Sequence, residues 1–173
     1  MTLQSIQESF PAYAKDIKLN FSSLMNSETV LTQQQFWGTL LACAMTCKNT
    51  LLLNAISENA EKNLSAEAYT AAKSAAALMA MNNIYYRFTH LVSNTEYARL
   101  PANLRMNSMA QPGIDKVDFE LYSLAVSAIN GCGLCMDAHE KTLSKHGVSK
   151  EAVQTAVRIA SIIHAVSLVL TIS

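Results

Sequence analysis

The chain of 173 residues has little glycine (5) and less proline (3), and only 15% of it is charged. Scarcity of the two main turn residues argues against many short strands joined by tight turns. No segment shows the apolar–polar alternation of a half-buried strand. The formal net charge is zero, and no basic stripe or polybasic tail is present. Nucleic acid and anionic membranes are therefore poor partners. No uninterrupted apolar run reaches membrane-spanning length. The opening MTLQSIQESFPAYAKDIKLN lacks a basic segment followed by an apolar core, so no secretory signal is expected there. The expected compartment is a reducing cytoplasm. Four cysteines in such a compartment point to a catalytic or metal-binding pair rather than a disulfide framework.

What remains is helical composition. Ala, Leu, Met, Gln and Glu abound, and half of the residues are hydrophobic. That much apolar surface suggests burial between subunits as well as inside one. The expectation is an all-α, single-domain fold over residues 1–173 with six to eight helices. One helix spans Ser5 to Ala14 and a second, short one Ala14 to Met25, with Pro11 near their junction. Thr32 opens a helix through a capping-box pattern and carries it to Thr46. Further helices cover Thr50 to Asn63 and Ser65 to Asn82, and Ile84 to Val92 is a helical or turn element. Asn94 to Leu104 is irregular, and Gln111-Pro112-Gly113 is a loop. Asp115 caps a helix ending near Asn130, Cys132 to His146 forms the next, and Ser149 caps the last, through Leu168. A weak internal repeat aligns the halves at an offset of 84, pairing Leu40 with Leu124, Ser65 with Ser149 and Ala72 with Ala156. At that offset Glu120 faces Phe36 and His139 faces Ala55.

The chemistry concentrates in E-L-Y-S-L-A-V-S-A-I-N-G-C-G-L-C-M-D-A-H, from Glu120 to His139. Cys132 and Cys135 are three apart, so both sulfurs fall on one helical face within reach of a short disulfide loop. The thiolate is the reactive form of cysteine, and a helix N-terminus favours an anion. Asn130-Gly131 reads as a flexible break that makes Cys132 the first helical residue. His139 lies on the same face and can move a proton to or from a thiol or a leaving oxygen. Glu120, on the preceding helix, could orient the imidazole, as the third group beside an activated nucleophile does. The bland reading of Glu120 is a solvated helix residue. The metal reading is a zinc site, but a structural one needs four ligands, and only His139, His146 and Glu120 are near. Cys43 and Cys47 read as core thiols, His164 as a core or interface residue, His146 as a helix-ending cation, and the Met-rich stretch Leu78 to Met81 as core filling.

On these residues the chain resembles the alkyl hydroperoxidase D family, within the carboxymuconolactone-decarboxylase-like superfamily. The E-x11-C-x2-C-x3-H pattern carries the resemblance. It extends to PAYAKDIKLN, WGTLLA, MNNIYYR (Met81 to Arg87), LRMN (Leu104 to Asn107) and FELYSLAVSAINGC. The resemblance implies an all-helical homotrimer that binds no cofactor and runs a peroxide-linked dithiol cycle on alkyl hydroperoxides. It implies two protein partners: the peroxiredoxin alkyl hydroperoxide reductase C, and a lipoyl-bearing dihydrolipoamide acyltransferase whose dihydrolipoamide is the reductant. It assigns Cys135 the sulfenic acid, Cys132 the proton-donating and resolving role, and Glu120 and His139 the relay. The Cys132–Cys135 disulfide is the oxidised form. Some members carry His before the second cysteine; here that position is Leu134. Spacing alone allows either cysteine to react first. The rival readings are a carboxymuconolactone-decarboxylase-like enzyme and a zinc-bound helical interaction protein.

Overall fold

A computed structural model describes residues 2–173. The α-helices are α1 (Leu3–Glu8), α2 (Lys15–Asn26), α3 (Gln33–Cys47), α4 (Thr50–Asn63), α5 (Ala66–Leu91), α6 (Asn107–Ala110), α7 (Lys116–Ile129), α8 (Gly133–Lys145) and α9 (Lys150–Ile172). Single 3₁₀ turns lie at Ala12–Ala14 and Thr95–Arg99, and there is no strand among the described residues. Seven of the helices have twelve residues or more, within the expected six to eight.

Local chemistry sets most boundaries. Thr32 and Gln35 form the reciprocal capping box at the start of α3. Asn49, Ser65, Asp115 and Ser149 each accept a backbone N–H at the start of α4, α5, α7 and α9. The sequence expectation is corrected at three places. Pro11 separates α1 from the 3₁₀ turn, so the first helix ends at Glu8 rather than Ala14. The segments expected on either side of Asn83 are one helix of 26 residues, because nothing between Asn82 and Ile84 interrupts the backbone ladder. Helix α9 runs to Ile172, beyond Leu168. At 23 residues it is long and apolar enough by length and mean hydropathy to cross a membrane, although Arg158 and His164 interrupt its apolar run. In this fold one face of it, including Ala156, Ile159, Ala160 and Ile163, is buried in the core.

The repeat is visible as architecture. Helices α3, α4 and α5 follow the same plan as α7, α8 and α9. Helix α3 packs on α4, α5 and α9, and α7 packs on α8, α9 and α5, which is the same set with the halves exchanged. At the centre α3 crosses α7, and both are buried over most of their length. The two join through residues 84 apart: Gln34 Nε2–H donates to Asp118 Oδ2 at 2.6 Å. Gln35 Nε2–H donates to Asp118 Oδ1 at 2.8 Å, and the Tyr122 hydroxyl donates to the Gln34 carbonyl at 2.8 Å. Burial, with Asp118 nearby, pushes the Tyr122 phenol well above its ordinary range, which favours the protonated, donating form.

Gly38 lets the crossing close. A Cβ there would overlap the Tyr122 ring, which lies directly against the helix backbone. Gly38→Ala therefore forces the ring away and breaks its bond to Gln34. The expected cost is about 1–3 kcal/mol, read as a lower urea midpoint at unchanged helical circular dichroism. An unchanged midpoint would mean that the crossing is not sterically set at this glycine.

Candidate redox site

The joint between α7 and α8 is built with no slack. Helix α7 ends at Ile129 with Asn130 as its C-cap, and Gly131 adopts φ +68°, a left-handed conformation in which glycine is unstrained. Gly131 N–H donates to Ala128 O at 3.2 Å and Cys132 N–H to Ser127 O at 3.1 Å, the paired bonds of a Schellman ending. Cys132 is at once the residue that completes this ending and the N-cap of α8. Its Sγ accepts the Cys135 N–H at 3.3 Å. Cys132 is thus extended and outside the helix, not its first helical residue, and Asn130-Gly131 is a fixed turn, not a flexible break. Its outer side is held by α5. Arg87 donates to Asn130 O at 2.6 Å, Asn130 Nδ2–H to Asn83 Oδ1 at 2.9 Å, and Asn83 Nδ2–H to Ser127 Oγ at 2.9 Å.

Cys132 and Cys135 form a disulfide, with Cα atoms 5.3 Å apart. Cys132 is fully buried, whereas Cys135 lies in the wall of a cavity of about 250 Å³. His139 lines the same cavity one turn along α8. Glu120 comes in from the buried face of α7, and both residues are 4% exposed. That settles the placement of Glu120 against the solvated-helix reading. His139 Nδ1–H donates to Glu120 Oε2 at 2.6 Å. With Nδ1 committed to the carboxylate, Nε2 is the nitrogen left for proton exchange. It lies 3.3 Å from Met79 Sδ, a weak acceptor for its proton in the imidazolium form. Among the described residues neither ring nitrogen is hydrogen-bonded to a cysteine in this oxidised form. The structure thus gathers all four expected residues, with the carboxylate–imidazole pair directly bonded and the imidazole beside Cys135 across a shared cavity.

The other candidates fall elsewhere. Cys43 is fully buried, and burial, with Cys47 nearby, pushes its thiol well above the usual range. Cys47 is half-buried, with its Sγ 3.9 Å from His164 Nδ1, and burial pushes its thiol up to about 11. His164 itself is exposed, not a core residue. His146 ends α8 as expected, its Nδ1 2.8 Å from Thr142 O. No group of three or more His, Cys, Asp or Glu placed to hold a metal ion occurs among the described residues. The zinc reading therefore lacks a ligand set.

Several wall residues carry no local signal in the sequence. Met79 is buried as a core-filling residue would be, but its sulfur also touches His139 and accepts from Asn83 Nδ2 at 3.8 Å. Asn82 and Tyr86 reach the cavity from α5, and Met106 and Met109 from the long connection before α7. Leu134, at the position without an additional His, forms part of the wall. Asn82, Tyr86 and Met106 do lie inside MNNIYYR and LRMN, segments that carried the resemblance but no assigned role.

A disulfide-bonded cysteine pair, a bonded carboxylate–imidazole couple and an apolar cavity thus meet on an all-helical frame. Comparison with known proteins shows the family. A family model described as Carboxymuconolactone decarboxylase family matches residues 95–171, a span that contains all four site residues. The chain is 57% identical to the alkyl hydroperoxide reductase AhpD of Maricaulis maris, covering 98% of each chain. It is 55% identical to the protein of that name from Streptomyces griseus, over 98% of this chain and 96% of the relative. With that of Acidobacterium capsulatum it shares 54% identity, over 98% and 93%. The chain belongs to the AhpD family.

Two measurements test the site. Glu120→Ala leaves the buried Nδ1–H without an acceptor and is expected to cost about 1–3 kcal/mol of stability, whereas Glu120→Gln retains an acceptor oxygen and costs less. Equal urea midpoints for the Ala variant and the parent would mean that the pair is not structurally engaged. In the reduced protein, iodoacetamide at pH 7 should leave Cys43 and Cys47 unmodified. Modification of Cys47, followed by mass spectrometry, should climb about tenfold per pH unit towards its value of about 11. Ready labelling of Cys47 at neutral pH would contradict its protonated state.

Proposed function

We propose that this protein is an alkyl hydroperoxide reductase whose working parts are Cys135, Cys132, His139 and Glu120. The observation that carries this reading is the position of Cys135 in the wall of the apolar cavity it shares with His139, with Cys132 buried behind it. The cavity brings an organic peroxide to one sulfur and not to the other. This asymmetry favours Cys135 as the attacking thiolate, a choice that cysteine spacing left open.

In the reduced protein, His139 takes a proton from the dithiol through Nε2, while Glu120 holds Nδ1–H and stabilises the resulting imidazolium. The Cys135 thiolate attacks the outer peroxide oxygen. The O–O bond breaks, and the alkoxide leaves with a proton from the relay as the alcohol. Cys135 is then a sulfenic acid. Cys132 displaces water from it and forms the disulfide. Dihydrolipoamide, borne by an acyltransferase, returns two electrons and two protons by thiol–disulfide exchange. The names of the relatives support the peroxide-reducing part of this scheme. The further partner we propose is the peroxiredoxin alkyl hydroperoxide reductase C, whose disulfide the same dithiol would reduce in the cytoplasm. A homotrimer is the proposed assembly. The exposed stripe of Met81, Ile84, Phe88 and Leu91 along α5 is apolar surface of the kind that a second copy covers.

The test is NADH consumption with an alkyl hydroperoxide, catalytic dihydrolipoamide and lipoamide dehydrogenase, with and without the peroxiredoxin. Cys135→Ser should reduce both rates to background. Cys132→Ser should consume one equivalent of peroxide and stall as a sulfenic acid that dimedone traps. Normal turnover by the Cys135 variant would refute the scheme.

A further inference from the structure

The cavity beside Cys135 contains a polar group that the scheme above does not use. Asn82 lies on α5 three residues after Met79 and is 5% exposed. Its Oδ1 is buried and has no hydrogen-bond partner among the described residues. Its neighbour Asn83 is the contrast, for there both ends of the carboxamide are bonded, to Ser127 and Asn130. A buried carboxamide normally finds a partner, and one left open in the wall of a cavity that Cys135 also lines is a candidate for binding what the sulfur attacks. Around it the wall is apolar: Tyr86, Met106, Met109, Leu134 and Ala138.

We propose that Asn82 binds the O–O–H end of an organic hydroperoxide while Tyr86, Met106, Met109 and Leu134 enclose its apolar tail. The inference rests on the peroxide-reducing reading above. A carboxamide offers one acceptor oxygen and two N–H donors, and rotation about its last bond exchanges the two ends. The peroxide O–H donates to Oδ1, and an Nδ2–H donates to the inner oxygen. Cys135 Sγ then attacks the outer oxygen. The S–O bond forms, the O–O bond breaks, and both of its electrons leave on the inner oxygen. The Nδ2–H bond strengthens as that charge develops, so it stabilises the transition state more than the bound substrate. The His139 imidazolium supplies the proton that completes the alcohol. Hydrogen peroxide has no tail to bury in the Met–Tyr–Leu wall and gains less from the same site.

The experiment is stopped-flow oxidation of the pre-reduced protein by cumene hydroperoxide and by hydrogen peroxide, for the parent, Asn82→Leu and Asn82→Ala. Leu fills a similar volume without the carboxamide, and Ala guards against overpacking. The expected result is a rate constant with cumene hydroperoxide lowered at least about tenfold in both variants. Reduction of their disulfides by dihydrolipoamide should change by less than about twofold. The Asn82→Leu urea midpoint should not fall, because the substitution removes an unpaired buried group. The parent should also prefer cumene hydroperoxide to hydrogen peroxide, and the variants should lose part of that preference. A variant as fast as the parent would overturn the role of Asn82 alone. So would parallel losses in both half-reactions or in stability, which would mark a structural residue. A parent oxidised by neither peroxide would instead defeat the peroxide-reducing reading, and this inference with it.

Discussion

The close crossing of α3 over α7 is the constraint from which the rest of the molecule is hung. It requires a bare backbone at Gly38, because the Tyr122 ring occupies the space a side chain would need. It is fixed rotationally by Asp118, which receives both Gln34 and Gln35, and by the Tyr122 hydroxyl on the Gln34 carbonyl. Asp118 and Tyr122 bracket Glu120 on the same helix. The bonds that lock the two halves together therefore also lock the register of α7, and with it the height at which the Glu120 carboxylate meets α8.

The halves share a plan but not a burden. Where one has Glu120 and His139, the other has Phe36 and Ala55 at the matching positions. A buried carboxylate is expensive unless its partner is well placed. Here a single 2.6 Å bond supplies that partner. The same dry surroundings strengthen each remaining electrostatic interaction at the dithiol.

How far this was legible in the sequence differed by kind of feature. Caps are local, so Thr32, Ser65, Asp115 and Ser149 could place helix starts from neighbouring residues alone. The four residues of the dithiol and relay also sit within twenty positions, on two adjacent helices and the cap between them. The cavity wall is different. Asn82 and Met79 come from α5 and Met106 and Met109 from the connection before α7, so only tertiary packing puts them beside Cys135. A methionine in a core and a methionine against an imidazole have the same local signature. The continuity of α5 was missed for a related reason. The Asn-Asn pair at 82–83 looks like a loop by propensity, and burial against α7 overrides it. The Schellman ending at Gly131 needed backbone dihedrals to be told from a loose turn.

Cys132 has one further consequence. It is the residue that finishes α7 through its amide and starts α8 through its sulfur. In the oxidised protein that sulfur is tied to α8 twice, by the covalent bond to Cys135 and by the Cys135 N–H. Were the disulfide opened, the N–H···S bond alone would join the cap to the first turn of α8. The two ties at this one sulfur thus bear on how stiffly α8 continues from α7, one residue from the turn that Arg87 holds.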